Sequence, residues 1–231
     1  MKNAILIFLI SLFSNTLFAK EIIIVNDYFP PYVENEASTR GSVGIDMEMA
    51  IRVLKKNGIE YKVLYVPWQR ALRMLEDGEA DMITTISPTE ERSEFLNFSL
   101  AYRKKEELSF FVLRESNIEL TSLYDLRRST LGLNRGFVYP KEIVENPNIE
   151  KKYVYGVEEG FQNLKDKRLR IYLVNTVVGE KMIEKLKLQN VIKKLDFKVK
   201  LEGDASQTMF GFSKKSEHKD LVELFNAELG Q

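Results

Sequence analysis

Short β-rich runs and helical patterns alternate along this chain from residue 21 onward, an order that few architectures accommodate. Residues 21–26 (EIIIVN) read as a strand, because a short, unbroken apolar run suits a strand covered on both faces. Ile45, Met49 and Val53, joined by Ala50 and Leu54, then form an apolar helical stripe that stops at Asn57-Gly58. A second strand follows at 60–66. Trp68, Ala71, Leu72 and Leu75 make another helical face, closed at Gly78, and residues 81–86 give a third strand. The pattern then repeats more loosely, with strand-like runs at 108–113, 130–134, 153–155 and 169–174. Helical candidates lie between them near Leu123, at 158–164 and at 177–188. Such alternation predicts an α/β fold with mainly parallel sheets flanked by helices. If two domains exist, the polar stretches 102–107 and 202–207 are the places where extended chain crosses between them.

The segment before this alternation has a different character. Lys2 precedes an apolar run over residues 4–13, broken only by Ser11, and a short polar stretch leads to Leu17-Phe18-Ala19. That is the layout of a secretory signal peptide cleaved after Ala19, since a spanning helix needs about 20 apolar residues. Residues 1–19 are therefore set apart from the fold. The chain of 231 residues has no Cys and one His. Disulfides, thiolate catalysis and an N-terminal lipidated Cys are thereby excluded, and an exported protein without disulfides points to a Gram-negative periplasm. Lys+Arg and Asp+Glu are equal at 34 each, which argues against nucleic acid as a partner.

Three stretches could carry chemistry. In Ile86-Ser87-Pro88-Thr89-Glu90-Glu91-Arg92, Ser87 at N-cap, Pro88 at N1 and Glu90 at N3 predict a capped helix directly after a strand. The turn exposes backbone N–H groups at a helix N-terminus, and the Arg92 guanidinium one turn on could reach back to a carboxylate or phosphate. Asn26-Asp27-Tyr28-Phe29-Pro30-Pro31-Tyr32 and Pro67-Trp68-Gln69-Arg70 each follow a strand, and in open α/β sheets ligands bind beyond the carboxyl ends of strands. Their aromatics either cap the core or stack on a ligand. Gly132-Leu133-Asn134-Arg135-Gly136 lacks the third glycine of a dinucleotide fingerprint and the Gly-Lys-Ser/Thr of a P-loop. His218, in what reads as a charged helix start, has no oriented nucleophile at a readable spacing. Carboxylates are scattered and no metal-ligand spacing occurs, so neither cofactor nor metal is expected.

With these residues in view, the chain resembles the periplasmic solute-binding proteins of the polar amino-acid type, the extracellular family 3 receptors of ABC importers. The likeness rests on Tyr28-Phe29-Pro30-Pro31-Tyr32, Gly44-Ile45-Asp46, Gly78-Glu79-Ala80-Asp81 and residues 86–92, and more loosely on 123–126, 132–136 and the segment ending at Asn175. It implies a two-lobed, type II periplasmic-binding-protein clamp with two hinge crossovers: lobe 1 from residues 20–103 plus 206–231, lobe 2 from 104–205. It further implies that Arg92 grips a ligand carboxylate, with Thr85 and Ser87 adding contacts. Phe29 and Trp68 would sandwich the ligand, Asn26 would tune selectivity, and Arg70 would add a cation beside the pocket. From lobe 2, Asn134, Phe137 and Val138 would meet the ligand on closure.

Two departures from the family pattern bear on the ligand. Asn175 stands where amino-acid receptors place an aspartate for the α-ammonium group, and Phe137 where they have a second carboxylate-binding threonine. An amide cannot neutralise a buried cation, so a ligand without an amine is expected to fit best, either a small carboxylate or an aromatic or amide-bearing acid. The chain also stops at residues 228–231, short of the closing helix and aromatic-rich tail common in the family. The resulting expectation is a monomeric, non-enzymatic periplasmic receptor for a small polar solute, an amino acid or related carboxylate, serving an ABC permease. The alternatives are a sensory or adaptor protein acting through a membrane sensor, and a dehydratase-type enzyme on the same fold.

Overall fold

The computed structural model describes residues 21–35, 41–104 and 107–230; the expected signal peptide lies outside them. In chain order the first part contains β1 (Ile22–Asn26), α1 (Ile45–Lys56), β2 (Tyr61–Tyr65), α2 (Trp68–Asp77), β3 (Met82–Ile86), α3 (Glu90–Ser93), β4 (Leu96–Phe98) and β5 (Arg103–Lys104). Next come β6 (Leu108–Leu113), a 3₁₀ turn at Leu123–Arg128, β7 (Leu131–Asn134), α4 (Lys141–Val144), β8 (Lys151–Val154), α5 (Val157–Lys165), β9 (Ile171–Asn175) and α6 (Thr176–Lys185). The chain finishes with β10 (Ile192–Val199), a 3₁₀ turn at Gly203–Ser206, β11 (Gln207–Ser213) and α7 (Leu221–Leu229).

These elements build two sheets, one per lobe. The first runs β2-β1-β3-β11-β4, with β5 also paired to β11; the second runs β10-β6-β9-β7-β8. Each sheet is mixed rather than mainly parallel, and the connections explain why. Strands joined by a covering helix are parallel, as in β1 with β2 and β3, and β7 with β8 and β9. Strands at the crossings need no helical crossover: β6, entering the second sheet, pairs antiparallel to β9 and β10, and β11, re-entering the first, pairs antiparallel to β3, β4 and β5.

Alternation along β1 sends Ile22 and Ile24 to one face and Val25 to the other. The first face is covered by Met47, Ala50 and Leu54 of α1, the second by Trp68, Ala71 and Leu75 of α2. Helix α2 ends where its sequence predicts, at Gly78, whose φ of 80° is the left-handed C-cap conformation. The second lobe repeats the plan, with Phe161 of α5 and Val178 and Met182 of α6 on one face of its sheet, and Leu126 and Ile143 on the other.

Three expectations need correction. A closing helix is present: α7 buries Leu221 and Phe225 on the first lobe, with the Phe225 ring 4.8 Å from Phe210 and 5.1 Å from Phe212, centre to centre. Burying each such side chain contributes about 1.5–3 kcal/mol. Ser87 does not cap α3. Thr89 does, accepting from the Arg92 N–H at 3.2 Å, because the buried Ser87 hydroxyl is directed to the Ala205 and Gln207 carbonyls of the returning crossover at 2.9 and 2.8 Å. His218 precedes a helix rather than starting one, as α7 begins at Leu221.

Candidate ligand-binding site

The carboxyl ends of the parallel strands β1, β2 and β3 of the first lobe bring four residues to one cleft: Phe29 from the loop after β1, Trp68 at the start of α2, Thr85 within β3 and Arg92 on α3. The second lobe contributes Phe137 and Val138 after β7, and Asn175 at the end of β9. Together they line a cavity of about 50 Å³. Seven of the eleven sequence-predicted residues thus meet at one place.

The other four lie elsewhere. Asn26 is buried and staples β1 to β3: its Oδ1 accepts from the Thr84 N–H at 3.0 Å and its Nδ2 donates to the Thr84 carbonyl at 3.2 Å. Asn134 is buried beneath the cleft, its Nδ2 donating to the Tyr172 hydroxyl at 2.7 Å. Ser87 holds the crossover, and Arg70 is exposed on α2, outside the cavity lining.

Arg92 is the dominant cation. It is 5% exposed, and its Nη1 and Nη2 donate to the carbonyls of Ser87 and Gly136, each at 2.7 Å. Burial pulls the guanidinium down to about 10, with Glu91 acting in the opposite direction, so it is charged at any physiological pH. Among the described residues no carboxylate forms an ion pair with it. A guanidinium has five N–H donors, and the two bonds to carbonyls leave capacity for a bidentate anion.

A second cation, not singled out by any local sequence pattern, joins Arg92. Arg103 lines the cavity, stacks 3.8 Å over the Tyr32 ring and donates to Asp46 at 2.7 Å. The same Asp46 oxygen accepts from the Thr85 and Tyr102 hydroxyls at 2.9 and 3.0 Å. Burial lowers the Arg103 pKa, but the Asp46 hydrogen bond and charge outweigh it and the balance is upward. Tyr102 is driven well above its usual range, first by burial and then by Asp46. Thr85 sits at φ 59°, a left-handed conformation unusual for a β-branched residue, with its N–H donating to the Tyr102 hydroxyl at 3.0 Å. The signals for this network were present but separated: Asp46 in the Gly44-Ile45-Asp46 motif and Arg103 in the crossing segment.

Among the described residues that line the cavity, none bears a carboxylate and two bear guanidinium groups. Asn175 lends its Oδ1 to the α6 N-terminus, accepting from the Val178 N–H at 3.1 Å. No group of three or more potential metal ligands occurs among the described residues, and no described helix is long and apolar enough to cross a membrane.

Residues 22–231 match the sequence signature of the bacterial extracellular solute-binding proteins, family 3. The chain belongs to that family. The arginine-binding extracellular protein ArtP of Bacillus subtilis (strain 168) is 23% identical over 142 residues, which are 60% of this chain and 54% of ArtP. The matched stretch therefore spans about half the length of that relative. A probable histidine-binding protein of Campylobacter jejuni is also 23% identical, over 79% of this chain and 68% of its own. In fold, the chain is similar to a histidine kinase sensor domain with similarity to periplasmic binding proteins, at a TM-score of 0.76 and 18% identity over 91% of this chain and 89% of that one.

Proposed function

We propose that this family 3 protein captures a small carboxylate-bearing solute between its two lobes in the periplasm, after export on a signal peptide, and hands it to an ABC importer. Binding proceeds without turnover, by closure of lobe 1 (residues 20–103 plus 206–231) on lobe 2 (residues 104–205). The observation that carries this reading is Arg92, a buried cation on the cavity wall without a carboxylate partner among the described residues. Desolvating a charge without a counter-ion is costly, and an incoming carboxylate supplies that counter-ion. Arg103, Thr85 and Asn175 also line the cavity and are held in place by Asp46, Tyr102 and Val178, while Phe29 and Trp68 provide apolar walls. The relatives named for arginine and histidine bind molecules that carry this same group.

The likeness to a histidine kinase sensor domain favours a second reading, in which the clamp signals to a membrane sensor rather than delivering cargo. Native mass spectrometry of the protein isolated from its own periplasm tests the binding step common to both. A co-purifying acid that is lost in Arg92→Ala supports it, and a co-purifying cation or neutral sugar retained by that variant overturns it.

A further inference from the structure

The ring of Phe137 stands between Phe29 and Trp68, meeting both edge-on at centroid distances of 5.7 and 5.6 Å and interplanar angles of 79° and 78°. It packs at once against the apolar clusters of both lobes. The neighbouring Gly136 carbonyl fixes it there, accepting from Trp68 Nε1 at 3.0 Å and Arg92 Nη2 at 2.7 Å. Glycine suits this close approach: its φ of 76° is a left-handed conformation, and a Cβ would press on the tip of the Gln69 side chain and lie 3.2 Å from Trp68 Cδ1. The slot between the two aromatic walls is therefore filled by the protein's own side chain.

The enclosed pocket that remains beside the ring is about 50 Å³, distinct from a more open groove of about 580 Å³ that shares Arg92, Phe137 and Val138. On this scale one water needs roughly 10–15 Å³, and a benzene-sized guest occupies a cavity of about 150 Å³. We infer that Phe137 is the specificity-determining residue of this cleft, restricting it to short aliphatic monocarboxylates of the acetate-to-pyruvate class and shutting out arginine-sized and aromatic acids. This rests on the reading of Arg92 as the carboxylate anchor and adds the size limit. The remaining walls agree with a short, amine-free ligand: Leu108, Val138, Val174 and Leu201 are apolar, and no lining residue among those described bears a carboxylate for an ammonium group.

The test is calorimetry with acetate, pyruvate, benzoate and L-arginine on the wild type, Phe137→Ala and Phe137→Leu, with Phe137→Ala/Arg92→Ala as control. Wild type is expected to bind acetate or pyruvate and not benzoate. Phe137→Ala should gain benzoate binding by about tenfold or more, Phe137→Leu should gain less, and the control should lose it. Wild-type binding of benzoate or L-arginine as tight as that of pyruvate overturns the size limit while leaving the anchor standing. Failure of all four acids to bind both wild type and Phe137→Ala removes the anchor reading, and the size limit with it. Phe137 is only half-buried and lies between the lobes, so both lobe cores survive its truncation; Phe137→Leu keeps the comparison informative if the alanine variant misfolds.

Discussion

The Arg92 guanidinium carbon lies 5.4 Å from the centre of the Trp68 ring, and both side chains donate to one acceptor, the Gly136 carbonyl. A cation, an aromatic wall and a second-lobe backbone group are thereby tied into one unit. The contact between lobes and the proposed anchor for a ligand are the same set of atoms, so changes at the cleft should alter closure and affinity together.

Gly136→Ala tests that link. The new methyl must displace Gln69 and hold a left-handed backbone, at about 1–2 kcal/mol. Small-angle scattering should show a more open particle, and pyruvate affinity should fall several-fold. Adding Gln69→Ala should restore part of both, because it removes the atom the methyl strikes.

The Asp46–Arg103 pair should matter for stability. Asp46 is 1% exposed and three groups donate to one of its oxygens, so Asp46→Ala removes one acceptor from Arg103, Tyr102 and Thr85 at once. A loss of about 3 kcal/mol is expected in urea unfolding. In a double-mutant cycle with Arg103→Met the two losses should combine to much less than their sum.

Which features are legible in the sequence depends on the range of the interaction involved. Helix α2 was legible because Trp68, Ala71, Leu72 and Leu75 repeat at helical spacing before a glycine stop. The capping of α3 was not, because a local rule for Ser87 lost to carbonyls 118 and 120 residues away. Arg92 was recognisable from its turn, whereas Arg103 was not, since its partner lies 57 residues back and no local pattern joins them. Phe137 was placed in the cleft only by family position. That its ring fills the slot between Phe29 and Trp68 depends on how one lobe rests on the other.

Asp27 gives a pH signature. Burial, only partly offset by N–H donors from Tyr28 and Trp68, raises its pKa from 3.8 to about 6. The folded state then holds a proton that the unfolded chain releases, so this group's contribution to stability falls as pH rises from about 4 to about 6 and is flat above. Asp27→Asn should remove that slope and raise stability at pH 7 by about 1–2 kcal/mol. The full shift corresponds to about 3 kcal/mol, but Asn keeps only one of the two accepting oxygens. Thermal melts of both proteins across pH 4–8 read the difference.

Arg92 as the anchor of a carboxylate is tested by titration calorimetry of pyruvate into the wild type and Arg92→Ala. Losing a buried, hydrogen-bonded charge partner should weaken binding by roughly 30-fold or more, with circular dichroism of the two proteins unchanged. Equal dissociation constants for the two proteins would contradict the account.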